Sequence, residues 1–155
     1  MAGMVTERLI AIKRRVEMLT AGATPLVQTE FRNFLSWAEQ NLGERQLQLV
    51  QFSDLTAAVA AITAAPFPRL FAIYAKKQNT ATAAYLSVYD DPANAGTATS
   101  KRVQLPLLEA LKEASQFYPD GLPLTTGMTL ISATTANGNT PSTSGDGPNG
   151  FALIG

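Results

Sequence analysis

Few stretches of this chain carry residue types that could do chemistry. Asp90 and Asp91 are adjacent carboxylates. Neighbours on an extended strand point to opposite faces, so these two cannot flank one bond as the acid and base of a hydrolase. With Pro92 behind them they read as a strand end and turn. Asn137-Gly138-Asn139 and Ser144-Gly145-Asp146-Gly147 have the small residues and side-chain oxygens of an ion or phosphate loop. They lack the Lys and strand-to-helix setting of a phosphate loop, and the spaced acids and closing Glu of a calcium loop. The reading is an ordinary polar loop. Lys13-Arg14-Arg15 is a short basic run flanked by Glu7 and Glu17, which suits the solvated face of an amphipathic helix.

The missing residue types exclude more than the present ones suggest. The chain has no Cys and no His. That removes a disulfide framework, thiolate metal sites, a thiol nucleophile and a Ser-His-Asp triad. No motif sets up another activated nucleophile, so the chain reads as non-enzymatic, with no catalytic residue, metal or cofactor. Lys plus Arg equals Asp plus Glu at 12 each. A field summing to zero neither draws in nucleic acid nor favours an anionic membrane surface. No apolar run approaches the roughly 20 residues of a membrane span, and charges from Glu7 to Arg15 interrupt any signal-peptide core. The expectation is no nucleic-acid and no membrane partner.

Two helices are expected over residues 5–43. Leu9, Ile12, Val16 and Leu19 recur at 3, 4, 3 spacing, and Gly22 follows as a stop. Thr24-Pro25 reads as an N-cap with Pro at the first helical position. Val27, Phe31, Phe34, Leu35, Ala38 and Leu42 continue at helical spacing to Gly43. A link of about four residues predicts an antiparallel helical hairpin. Two short helices cannot bury that aromatic area between themselves, so they pack on the rest of the chain or on another chain. The second option makes Leu9, Ile12, Val16, Leu19, Phe31, Phe34 and Trp37 a candidate partner-binding surface.

Near Arg45 the hydrophobic period changes from 3.6 to 2. Gln46-Leu47-Gln48-Leu49 alternates, and Val50 and Phe52 then suggest a bulge or strand end. Residues 55–65 read as a strand or irregular segment. Residues 70–74 are apolar on both faces, as in a strand buried on two sides. Residues 84–89 alternate more plainly, and the two runs read as a hairpin-like pair with a long polar link. Residues 103–107, 128–134 and 151–154 are further strands, 108–116 has helical composition, 121–126 a turn, and 137–149 a loop. The fold class is therefore α+β, mainly β: a helical arm over 1–44, then an antiparallel β-sandwich of jelly-roll or immunoglobulin-like size over 45–155.

Four stretches carry a resemblance: RLFAIYAKKQNTATAAYLSVYDD, a Gly/Thr/Ala loop leading into VQLPL, PDGLPLTTGMTLISATT, and a Gly/Ser/Asn loop before FALIG. In this order they resemble small β-sandwich accessory proteins of tailed-bacteriophage virions, of the capsid decoration or cement type. The likeness covers residues 66–155; the helical pair lies outside it, and the helix-like 108–116 departs from it. It implies a structural protein with no catalytic residues to transfer, located on the capsid surface, whose partners are the major capsid protein and itself as a homotrimer. A neck, baseplate or tail-fibre protein is the alternative. A carbohydrate-binding module would need solvent-exposed aromatics beside Asn or Asp in a loop, for which Tyr85, Tyr89 and Asp90 are available.

Overall fold

The computed structural model describes residues 2–41, 47–56, 59–61, 69–90, 101–124, 127–136 and 141–155. Helix α1 (Ala2–Leu19) and helix α2 (Pro25–Asn41) form as the apolar spacing predicts. The end of α1 is closed by Thr20, whose amide and hydroxyl both donate to the Val16 carbonyl, at 2.9 and 2.7 Å. Gln28 of α2 reaches back and donates to the carbonyls of Thr20, Ala21 and Ala23, at 3.0 to 3.3 Å. One side chain thus gathers three carbonyls of the link between the helices. An exposed Lys13–Glu39 ion pair at 2.9 Å also joins the helices.

Among the described residues eight strands follow: β1 (Gln48–Phe52), β2 (Val59–Ala61), β3 (Arg69–Lys76), β4 (Ala84–Tyr89), β5 (Lys101–Leu107), β6 (Glu113–Pro123), β7 (Met128–Ala133) and β8 (Asn149–Ile154). They form two antiparallel four-stranded sheets, ordered β1-β8-β3-β6 and β2-β7-β4-β5. The molecule is α+β, mainly β, with two helices and two antiparallel sheets, neither of them closed.

Two apolar clusters explain why β3 and β8 are hydrophobic on both faces. Leu70, Ile73 and Ala75 of β3, with Ala152 and Ile154 of β8, meet Leu86, Val88, Leu105, Leu107 and Leu130 of the second sheet. On the opposite face Phe71, Ala72, Tyr74, Phe151 and Leu153 meet Ile12, Val16, Phe31, Phe34 and Leu35 of the helices. A register shift between Leu70 and Ala72 puts Phe71 and Ala72 on the same side. A bulge does this by adding a residue to one strand. The alternation in β1 continues the same logic. Leu49 packs with the helix-side cluster and Val50 and Phe52 with the other, so the strand is buried on two sides and Phe52 is its end, without a bulge.

Several expectations need correction. The runs at 70–74 and 84–89 do not pair. β3 is occupied on both edges by β6 and β8, while β4 pairs with β5 and β7, so the polar link crosses between sheets. The helix-like 108–116 is instead a turn at 109–111 followed by the start of β6. There Glu113, Ala114, Ser115 and Gln116 pair with Lys76, Ala75, Tyr74 and Ile73. A ladder against a buried strand outweighs a helix propensity worth tenths of a kcal/mol per residue. Leu111 turns the chain with a φ of 60°. The turn expected at 121–126 begins within β6, since its register jumps from Phe117 opposite Ala72 to Leu122 opposite Leu70. Residues 118–121 are accommodated there because Gly121 has φ 78°; a Cβ on it would lie 2.8 Å from the Arg69 side chain. This interruption, with Pro119 and Pro123, blunts the free edge of the longest strand. Of the expected strand or irregular segment at 55–65, Val59–Ala61 forms β2; residues 57–58 and 62–68 lie outside the described residues, as do Leu42 and Gly43.

Candidate functional site

The helix residues proposed for partner binding come together, but as the chain's own core. Ile12, Val16, Phe31 and Phe34 are buried, and Leu9, Leu19 and Trp37 pack partly buried against them. The Phe31 ring lies 4.7 Å from that of Phe117, 5.1 Å from Phe151 and 6.0 Å edge-on to Tyr74. Phe34 stacks on Trp37 at 5.9 Å. The apolar back of β3 and β8 needs a cover, and the helices supply it. These seven residues therefore do not form an open surface. Among the described residues the large apolar side chains that stay exposed are Ile10, Met18, Leu26, Leu108 and Leu111.

Tyr85, Tyr89 and Asp90 do not make a saccharide platform either. Tyr89 is buried, and so is Asp90. The Asp90 carboxylate accepts from the Gly127 amide at 3.3 Å and faces Arg102 at 3.6 Å.

Polar groups gather instead at one end of the sheets, where three loops meet. Asp54, with φ 46° in the left-handed region that Asp tolerates, turns its carboxylate toward the 142–148 loop. It accepts from the Gly145 amide at 3.0 Å, the Gly147 amide at 3.1 Å, Gln78 Nε2 at 3.0 Å and the Ser144 hydroxyl at 3.4 Å. The glycine-rich stretch does cradle an anion, but that anion is the chain's own carboxylate. Gly147 is required here, because a Cβ would stand 2.5 Å from the Leu55 carbonyl oxygen. Asn149 Oδ1 accepts the Asp54 amide at 2.7 Å and the Ser53 hydroxyl at 3.3 Å. Lys77 is almost wholly buried beside this lock and donates to the carbonyl and hydroxyl oxygens of Thr80. Hydrogen bonds from Thr80 and Thr143 hold the exposed Asp146 carboxyl below its ordinary range.

A second polar cluster joins the helices to the sheet. The Tyr74 hydroxyl donates to Glu113 Oε2 at 3.0 Å, and the Thr24 amide at the start of α2 donates to Oε1 at 3.0 Å. Burial raises the Tyr74 phenol well above its usual value, and its hydrogen bond to the anionic Glu113 raises it further. Burial also works to raise the Glu113 carboxyl, but bonds from Thr24 and Tyr74 and the charge of Lys76 outweigh it, leaving a net lowering. A carboxylate at a helix N-terminus is favoured for the same reason.

Between these clusters lies a cleft of about 540 Å³, walled by the end of α1, the ends of β1 and β3, and the start of β8. Lys76, Gln51, Asn79 and Asn149 are among its polar lining residues, and Phe52 and Leu111 among its apolar ones. Among the described residues no three His, Cys, Asp or Glu side chains assemble as a metal site. No described helix is long and apolar enough to cross a membrane. Sequence reasoning missed Asp54 and Asn149, since nothing near either residue signals a partner about 90 positions away. No family model, curated protein or solved structure matches the chain.

Proposed function

We propose that this protein is a non-enzymatic structural component of a tailed-phage virion, a capsid decoration protein that binds the major capsid protein on the head surface as a homotrimer. In the same reading the two sheets are the halves of an antiparallel β-sandwich, with an antiparallel helical hairpin laid on one of them. The apolar cluster shared by the sheets supports the first part, and the short 20–24 connection with the Lys13–Glu39 bridge supports the second.

The observation that carries the functional reading is where the carboxylates go. Asp54, Asp90 and Glu113 are all engaged by backbone amides of distant segments. Groups that would serve catalysis are spent on rigidity, which suits a part that presents fixed surfaces repeatedly to a symmetric shell. With no net charge to steer it, such a protein binds by apolar burial and backbone pairing, and a trimer adds avidity of about 10²–10⁴-fold. The apolar contact then falls to exposed side chains such as Leu108 on the β5–β6 turn, because the helix stripe is already covered.

The experiment is thermal genome release from filled particles with and without the protein, across an ionic-strength series. Particles lacking it should release DNA at lower temperature, and moderate salt should displace it only weakly. Leu108→Ser should lower occupancy without changing the melting temperature of the free protein. Equal release temperatures, with the protein found only at the tail end, would overturn the head assignment in favour of a neck, baseplate or tail-fibre role.

A further inference from the structure

We propose that the cleft at the end of α1 and the first sheet is a binding site for a saccharide bearing a carboxylate. The proposal does not rest on a virion role and stands or fails separately from it.

Two carboxamides in this cleft have orientations fixed by the fold. Gln51 Oε1 accepts from Arg15 Nε and Nη2, at 3.2 and 2.9 Å, so the oxygen is committed to the guanidinium. Asn149 Oδ1 is held in the same way by the Asp54 amide and the Ser53 hydroxyl. Each NH₂ group is left without a protein acceptor among the described residues, in a cleft that both side chains line. Asn79 adds a carboxamide with no hydrogen bond to any described residue. Lys76 Nζ spends one donor on the Gly22 carbonyl at 3.0 Å, and an ammonium has three. Among the described residues no Asp or Glu lines the cleft; the neighbouring Glu113, whose carboxyl feels the Lys76 charge, is hydrogen-bonded by Tyr74 and Thr24.

The lining is therefore rich in neutral donors, carries a cation, and has apolar surface from Leu19, Phe52 and Leu111. A sugar acid matches each part. Its hydroxyl and ring oxygens accept from the amides, its C–H faces lie on the apolar patch, and its carboxylate meets Lys76. A volume near 540 Å³ falls in the usual range for small-molecule sites. A phosphate ligand fits less well, because phosphate sites are built from convergent backbone amides. The candidates here, Gly145 and Gly147, are already occupied by Asp54.

The test is an NMR titration of the intact chain with D-glucuronate, D-glucose, acetate and inorganic phosphate in turn. Glucuronate should shift the side-chain amides of Gln51, Asn79 and Asn149 saturably, and glucose should bind about 10-fold more weakly, as loss of one charge-assisted hydrogen bond implies. Lys76→Met should erase the difference between the two sugars. Asn79→Ala, which breaks no described hydrogen bond, should weaken both several-fold at unchanged melting temperature. Acetate or phosphate saturating the same amides as tightly as glucuronate would reduce the cleft to a simple anion site and overturn the proposal. So would the absence of saturable shifts, or glucose binding equal to glucuronate.

Discussion

Replacing Phe31 with Ala tests whether the helices are part of the core or a detachable arm. The side chain is 1% exposed and touches the rings of Tyr74, Phe117 and Phe151, which sit on three strands of one sheet. A buried Phe→Ala change costs about 3–5 kcal/mol from lost transfer energy and the cavity left behind. Each edge-on or tilted ring pair adds about 0.5–1.5 kcal/mol beyond area. Much of that is already inside the empirical range, so the loss should fall in its upper half, about 4 kcal/mol. Against a total of about 5–15 kcal/mol this is a large fraction. At about 2–4 °C per kcal/mol for a chain of this size, the melting temperature should drop by about 8–16 °C. Calorimetry and urea unfolding measure both, with an unchanged m-value showing that the same surface unfolds. Trp37→Ala is the internal comparison, since Trp37 is partly buried and its one aromatic contact among the described residues is Phe34. It should cost clearly less, about 1–2 kcal/mol. If Phe31→Ala costs under about 1 kcal/mol, or no more than Trp37→Ala, the aromatic face of the sheet is not sealed beneath the helices.

Two further outcomes follow from the polar clusters. Asp54→Ala strips the acceptor from the amides of Gly145 and Gly147 and from Gln78, which are only partly buried, so the loss should be about 2–3 kcal/mol. Amide exchange should accelerate at Gly145 and Gly147 while β3 and β8 stay protected; unchanged exchange at both glycines would refute the lock. Glu113 has a lowered carboxyl, so its contribution is complete above the unfolded value near 4.3 and is lost as pH falls through the folded one. Glu113→Gln should therefore flatten the acid limb of the stability curve below about pH 4.5, and an identical acid limb in variant and wild type would count against the Tyr74–Glu113–Thr24 contact.

The helices were legible because their evidence is local: a 3.6-residue stripe, a Thr-Pro start and a Gly beyond the first stop. The two-sided burial of β3 was also legible in its apolar run. The strand partners were not. Residues 70–74 and 84–89 look like a hairpin by adjacency, yet β3 takes its neighbours from β6 and β8, one of them the last strand of the chain. Alternation says which side chains share a face and nothing about which strand lies alongside. Residues 108–116 misled for the opposite reason, since their composition favours helix while the open edge of β3 claims half of them for a ladder. The loop lock was invisible because its parts, Asp54, Gln78 and Gly145, are unremarkable where they stand and acquire meaning only through closure across 91 positions.

The location of the free polar groups follows from this architecture. The first sheet has helices on one face and the second sheet on the other, so its middle has no surface left for a ligand. Its chemistry can reach solvent only at strand ends. At one of those ends Asp54 ties the loops together, and in doing so it consumes the glycine amides that would otherwise attract an external anion. The Asp54 backbone amide and the Ser53 hydroxyl separately hold the Asn149 oxygen, which leaves its NH₂ without an acceptor among the described residues, beside the cleft. Removing the Asp54 carboxylate should therefore free the amides of Gly145 and Gly147 while Asn149 keeps its orientation, because the amide that holds it belongs to the backbone. The loop closure rests on the carboxylate of Asp54, and one donor of the cleft is oriented by the backbone amide of the same residue.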